Sequence, residues 1–351
     1  MNNLINLVIL VIWLISYFFI WYLHSLGVVW IVLSFVLMIL WIYLLLSWWD
    51  ALVDGSVSVA KKFKISPIVI GLTIVSFWTS APEFFINVLA ALKWENNLLL
   101  SNIIGSNLAN LLLILWAGAI VAEKWLKVRD KTLLYEIPFS LLSAVVLAIL
   151  VNDVWLNWFQ YNILSRWDGL ILLCFFIVFM YYIYTLIKND KWNVEIEVKN
   201  YSIYYSLFLI LLWILGLYFW WELVVNNAIW FAEKLWVSTF LIWATIVAIW
   251  TSLPELVATI ISAKKWHTDV AIWNIIWSNI FNILWIWWVS SVINAIKFES
   301  KYNIDLLFLI FSTLLLIVLI YSSKKRVLSL RIWIIFVVLY FLYLIFVILR
   351  G

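Results

Sequence analysis

Residues 73–83 read TIVSFWTSAPE and residues 245–255 read TIVAIWTSLPE, and this pair decides the fold. Sliding the chain along itself by 172 residues lays Gly71–Trp116 on Trp243–Trp288 with 20 identities in 46 positions. The match continues into NIIGSNLAN (102–110) against NIIWSNIFN (274–282). Agreement of that extent marks an internal duplication. Both copies lie in long apolar runs. The chain has 351 residues, of which 68% are hydrophobic and only 11% charged, whereas soluble domains carry about 25% charged residues. A helix crossing the ~30 Å hydrocarbon layer needs about 20 apolar residues, and runs of that length fill most of the sequence. The expected fold class is an all-α polytopic membrane protein.

Polar punctuation divides the chain into eleven candidate spans near 4–23, 28–50, 67–92, 97–121, 132–151, 168–187, 204–222, 238–263, 270–295, 304–322 and 331–349. Equivalent helices of the two copies stand five places apart in the order of spans, an odd offset, so the second copy crosses the membrane in the opposite sense. Inverted repeats of this kind characterise secondary transporters, whose substrate site lies at the repeat interface near mid-membrane. The first run, about Leu4 to Tyr22, lacks the basic start of a secretion signal and is expected to remain as an extra N-terminal helix within 1–27. The first half then covers 28–187 with its repeat at about 71–116. A short loop at 188–203 leads to the second half, 204–351, with its repeat at about 243–288. That loop is too short for a folded regulatory domain.

Orientation follows from Lys and Arg, which favour cytoplasmic loops. Alternate loops hold 16 of the 22 basic residues, from Lys61, Lys62 and Lys64 through Lys124–Lys131, Lys188–Lys199, Lys264 and Lys265 to Lys324–Arg331. This places the N-terminus in the cytoplasm and the C-terminus outside, in a multi-pass protein of the cell (plasma or inner) membrane. The net charge of +4 is scattered over short loops, which speaks against a nucleic-acid partner. The one cysteine, Cys174, permits no disulfide within the chain and reads as a small buried hydrophobe. His24 and His267 fall near loops and read as interfacial residues.

Each copy places Thr-Ser-x-Pro-Glu on one helix and Ser-Asn-x-x-Asn on the next. The first supplies Thr79, Ser80, Pro82, Glu83, Ser106, Asn107 and Asn110; the second supplies Thr251, Ser252, Pro254, Glu255, Ser278, Asn279 and Asn282. Thr79 and Glu83 are four residues apart, as are Ser106 and Asn110, so each pair shares a helix face. A charged carboxylate near the bilayer centre costs about 2.5–3.5 kcal/mol on insertion scales and more in other estimates. Two glutamates there need a counter-charge, a proton or a water-filled cavity. Each proline removes a backbone hydrogen bond and is expected to open its helix around Trp78 or Trp250, freeing carbonyl oxygens beside Thr79 and Thr251. Such backbone survives at membrane depth where it lines a cavity or is buried in protein. The donors are all oxygens, which suit hard cations such as Ca²⁺, while softer metals prefer His or Cys. Two carboxylates balance one Ca²⁺ or two Na⁺. The serines and asparagines have a plainer reading as polar glue between helices.

At these residues the chain resembles the cation/calcium exchanger superfamily, specifically prokaryotic sodium/calcium antiporters. Members carry Gly-Thr-Ser-x-Pro-Glu on one helix of each alpha-repeat and Gly-Ser-Asn-x-x-Asn/Asp on the next. The resemblance implies an inverted-repeat exchanger fold with ten core transmembrane helices, to which the first span here adds one. It implies Glu83 and Glu255 as principal ion ligands, with Thr79, Ser80, Ser106, Asn110, Thr251, Ser252, Ser278 and Asn282 as further site positions. It implies secondary-active exchange of Ca²⁺ for Na⁺ by alternating access, with the ions as cargo in the lipid bilayer and no cofactor. Exchange of Ca²⁺ for H⁺ in the same fold, or a cation channel, are the alternatives. Asn282 stands where potassium-dependent relatives carry Asp, which argues against potassium coupling. No Ser–His, Asp–Asp or His-rich metal cluster falls within the spans, so an intramembrane enzyme is not expected.

The glycine that precedes Thr-Ser in such antiporters is Trp78 in one copy and Trp250 in the other. Within the chain itself, Gly71 aligns with Trp243 and Gly105 with Trp277. Helix-contact positions of this kind suit glycine and exclude an indole. The chain has 28 Trp and only 8 Gly, although glycine normally makes up about 7% of residues. The expectation is that many of these tryptophans stand at glycine codons, UGA having been written as Trp.

Overall fold

The computed structural model describes Val36, residues 76–122, 126–156, 161–189, 243–264, 268–323, 326–328 and 330–350, and isolated positions at 202, 204, 205, 208, 211 and 241. Apart from those isolated positions, the expected spans 4–23, 28–50 and 204–222, the extra helix within 1–27 and both histidines lie outside the described residues.

Helix α1 (Ser76–Thr79) stops at Ser80, and α2 (Ala81–Leu92) resumes with Pro82 in its first turn. That is where a residue without an N–H is tolerated. The span expected at 67–92 is therefore a broken helix. The break falls at Ser80, two residues beyond the expected Trp78, because the proline starts the second segment rather than interrupting the first. Helix α3 runs Asn96–Ala109, passes through a π-turn at Asn110–Ile114 and continues as Leu115–Val121. Helix α4 opens with a π-turn at Thr132–Glu136 and continues as Ile137–Leu150. Helix α5 covers Arg166–Asn189.

The second copy repeats the pattern. Helix α6 combines a π-turn at Trp243–Val247 with Ala248–Thr251, breaks at Ser252 instead of Trp250, and α7 follows at Leu253–Lys264. Helix α8 runs Thr268–Phe281, through a π-turn at Asn282–Ile286, to Trp287–Ile293. Helices α9 (Asn303–Ser322) and α10 (Leu330–Arg350) complete the chain.

Among the described residues six helices are long and apolar enough to cross a membrane, which makes this a multi-pass membrane protein. The two repeat helices differ from the rest: α3 is 94% buried and α8 89%, against 28–44% for the others. They form the centre, and α4, α5, α9 and α10 surround them with one face exposed. On α5 the buried stripe is Leu172, Phe176, Phe179 and Ile183, spaced for one helix face. Cys174 lies off that stripe and is exposed, contrary to its reading as a buried hydrophobe; helical periodicity turns it to the outer surface.

Close approach of the centre depends on glycine. A Cβ at Gly105 of α3 would sit 2.4 Å from the carbonyl oxygen of Ala244 in α6, so no larger residue fits between those backbones. Two small antiparallel ladders tie the halves together. Strand β1 (Leu126–Lys127) pairs with β4 (Val327–Leu328), and β2 (Asn162–Leu164) pairs with β3 (Ile296–Phe298). Helix α4 separates β1 from β2, so the ladders stand at opposite ends of a membrane-length helix, as an inverted duplication requires.

Candidate ion-binding centre

The broken helices cross-dock. The segment Ser76–Thr79 packs on α8 of the other copy, and Ala248–Thr251 packs on α3. Beyond the break, α2 and α7 each pack on the long helix of their own copy and on the C-terminal part of the other copy's long helix. The Thr79 hydroxyl donates to the Ser76 carbonyl (2.9 Å) and the Thr251 hydroxyl to the Ala248 carbonyl (3.0 Å). Each hydroxyl thereby bonds back into its own first segment, a contact that bends helices.

Helix periodicity turns Glu83, Ile86, Asn87, Ala90 and Ala91 of α2 inward, and Glu255, Thr259 and Ala263 of α7. The two carboxylates meet hydroxyls from the opposite copy. Ser252 Oγ donates to Glu83 Oε1 at 2.9 Å, and Ser80 Oγ lies 3.0 Å from Glu255 Oε1. The arrangement is not perfectly two-fold. Ser278 adds a second hydroxyl to Glu255 Oε1 at 3.1 Å and lies 3.0 Å from Ser80 Oγ. Its repeat mate Ser106 turns instead to Thr251 Oγ1 at 3.2 Å. One hydroxyl proton serves one acceptor at a time, so the Ser80–Ser278–Glu255 cluster can switch donors.

The asparagines lock α3 to α8. Asn110 Nδ2 donates to Asn279 Oδ1 (3.0 Å) and to Ser278 Oγ (3.1 Å), and Asn282 Nδ2 donates to Asn107 Oδ1 (3.2 Å). Asn110 and Asn282 each begin a π-turn, a distortion frequent at functional sites.

All ten residues singled out in the sequence therefore come together: Glu83, Glu255, Thr79, Ser80, Ser106, Asn110, Thr251, Ser252, Ser278 and Asn282 are each fully buried. Sequence reasoning passed over Asn102 and Asn274, and it quoted Asn107 and Asn279 in the motif without making them site positions. Asn102 and Asn274 accept from Thr251 (3.4 Å) and Thr79 (3.3 Å), and Asn107 and Asn279 join the lock. Their identity in both copies was the available signal.

The buried oxygens without a hydrogen-bond donor among the described residues include four of the centre, Glu83 Oε2, Glu255 Oε2, Asn110 Oδ1 and Asn282 Oδ1; Asn87 Oδ1 and Glu136 Oε2 are others. The four of the centre form two repeat-related pairs. Buried acceptors are almost always satisfied, and a buried carboxylate without a partner is costly. Among the described residues neither glutamate forms an ion pair, and no cluster of three or more His, Cys, Asp or Glu occurs. The donor set is two carboxylates with neutral oxygens, the chemistry of a hard cation.

Comparison with known proteins identifies the family and the fold. The sodium/calcium exchanger protein family matches residues 30–185 and 205–349. Sodium/calcium exchanger MaX1 of Methanosarcina acetivorans is 25% identical over 75% of the chain and 83% of its own length. The inner membrane protein YrbG of Escherichia coli is 29% identical over 76% of the chain and 83% of its own length. Among solved structures, the sodium-calcium exchanger NCX_Mj soaked with Na⁺ and Sr²⁺ superposes with a TM-score of 0.64 at 30% identity. That match covers 90% of this chain and 99% of the other. The chain belongs to the sodium/calcium exchanger family.

Proposed function

Starting from that membership, we propose that this protein is a secondary-active antiporter that exchanges Ca²⁺ for Na⁺ at a centre built on Glu83 and Glu255. The observation that carries the reading is the set of four unpaired, fully buried oxygens contributed symmetrically by the two copies. One Ca²⁺ neutralises both carboxylates, and two Na⁺ do the same, so the ions compete for one charge balance. Leaving the site empty strands two buried charges, which makes translocation without cargo unfavourable. That coupling is what an antiporter needs and a channel lacks.

Each part of the centre has a task. Glu83 Oε2 and Glu255 Oε2 supply charge, and the Asn110 and Asn282 carbonyl oxygens complete a hard-ligand shell. Ser80, Ser252 and Ser278 hold the other carboxylate oxygens in place. Thr79, Thr251 and Ser106 brace the helix breaks at which backbone can rearrange. Because the copies are inverted, exchanging their two conformations exposes the same centre first to one side and then to the other. The side bearing the β1–β4 ladder is cytoplasmic in this reading, in keeping with the bias of basic residues, and the C-terminus lies outside.

The test is uptake of radioactive calcium into sodium-loaded vesicles containing the parent protein, Glu83→Gln or Glu255→Gln. Uptake driven by the sodium gradient and lost in both variants is the expected result. Uptake unchanged in both removes the proposed centre. Uptake driven only by a pH gradient replaces Na⁺ by H⁺ as the coupling ion.

A further inference from the structure

Two tryptophans occupy positions whose geometry asks for glycine, and three more on the same central helix as the second bury an unpaired indole nitrogen. The first is Trp94. Helix α2 ends at Leu92, and the chain then turns with Trp94 N–H donating to Ala91 O (3.3 Å) and Glu95 N–H to Ala90 O (2.9 Å). This is the paired-bond C-cap in which the residue after the cap takes the left-handed conformation, usually as glycine. Trp94 has φ 63°. A Cβ there costs roughly 1–2 kcal/mol, and the indole is 72% exposed, so no packing within the protein offsets that cost.

The second is Trp277. Its repeat mate is Gly105, where even a Cβ would strike the Ala244 carbonyl at 2.4 Å. A duplicated, two-fold-related contact that admits no side chain in one copy holds an indole in the other, only 3% exposed. Trp277 also directly precedes Ser278, which donates to Glu255.

The remaining three lie further along the same helix. The indole N–H groups of Trp277, Trp285, Trp287 and Trp288 are buried without an acceptor among the described residues. A buried indole normally finds a partner, and each one left unmade costs about 1–3 kcal/mol. Trp333 of α10, whose Nε1 donates to the Leu328 carbonyl at 3.2 Å, shows that this bundle can satisfy an indole. Four orphaned donors in twelve residues of one central helix are a different situation. Glycine at the same places has a helix-propensity cost of about 0.5–1 kcal/mol each, and neighbouring helices closing on α8 would take up the volume that the indoles fill.

We propose that the working protein carries glycine at positions 94, 277, 285, 287 and 288. Each codon is UGA, which the source cell reads as glycine and which another code renders as tryptophan. The census of 28 Trp against 8 Gly is the same substitution seen across the whole chain. The inference is independent of the transported ion, since it rests on backbone conformation, close approach and unpaired donors.

Tandem mass spectrometry of the protein isolated from its own cells decides it. Peptides spanning residues 90–97 and 270–290 are expected to show glycine at all five positions, and tryptophan at any of them overturns the assignment. The gene gives a second reading. UGA at all five codons, with a glycine-accepting tRNA of anticodon UCA in the same genome, is expected; UGG at position 94 or 277 overturns it.

Discussion

Replacing Glu83 with glutamine removes one charge from the centre and almost nothing else. The side chain is fully buried, its Oε1 accepts from Ser252 at 2.9 Å, and its Oε2 has no donor among the described residues. Glutamine keeps the length and the oxygen that faces Ser252. With both glutamates present, a bound Ca²⁺ leaves the centre neutral; with one, it leaves a net positive charge in a site without solvent. Removing one partner from a buried ionic contact costs about 3–5 kcal/mol. At about 1.4 kcal/mol per tenfold in affinity, calcium binding should weaken by roughly two to three and a half orders of magnitude. Isothermal titration of purified Glu83→Gln with calcium measures this directly. The ion-free variant should melt at or above the parent, because a buried, uncompensated charge has been removed; that separates loss of binding from loss of folding. Glu255→Gln should behave alike, and the double variant should add little, since the first loss already abolishes neutrality. Calcium affinity within threefold of the parent for Glu83→Gln would refute the charge-balance argument.

The serines should not be equivalent. Ser252 is the one serine at bonding distance from Glu83, whereas Glu255 has both Ser80 and Ser278. A hydrogen bond to a charged group contributes about 1.5–3 kcal/mol, so Ser252→Ala should weaken calcium binding at least tenfold and Ser80→Ala less, as read by titration; equal effects would remove the asymmetry. Gly105→Ala should lower the melting temperature by an amount corresponding to about 1–3 kcal/mol of overpacking. Gly118→Ala should be milder, because the one close contact of its Cβ would be a side-chain methyl, that of Thr259 at 2.7 Å, rather than backbone. At the edge of the bundle, Asp305 is fully buried, accepts from Tyr343 at 2.9 Å and pairs with Arg350 at 2.5 Å. Arg350→Gln should destabilise by about 3 kcal/mol in chemical denaturation, and adding Asp305→Asn should restore most of it. A periplasmic-type alkaline phosphatase fused after Arg350 should be active if the C-terminus lies outside, and inactivity would reverse the orientation.

Much of this protein was legible in its residues because membrane burial imposes lengths. The expected spans 97–121, 132–151, 168–187, 304–322 and 331–349 differ from Asn96–Val121, Thr132–Leu150, Arg166–Asn189, Asn303–Ser322 and Leu330–Arg350 by no more than two residues at either end. Hydrocarbon tolerates few polar groups, so the edges of apolar runs mark the edges of helices. Pro82 and Pro254 announced the broken helices, although a proline that begins a segment places the break at the preceding serine. Cys174 was misjudged because composition does not say which way a helix turns. The π-turns and the two small ladders had no readable signal, since both arise where helices must adjust to one another.

The duplicated acidic motif, its inverted placement and the oxygen-only character of its side chains are properties of the chain alone, because repetition and residue chemistry survive without coordinates. Which hydroxyl serves which carboxylate belongs to the folded protein. Ser80 and Glu255 are 175 residues apart and Ser252 and Glu83 are 169 apart, and no local pattern distinguishes pairing within a copy from pairing across copies. Only the cross-docking of the broken helices on α3 and α8 decides it, by bringing the opposite copy's serine within reach of each glutamate.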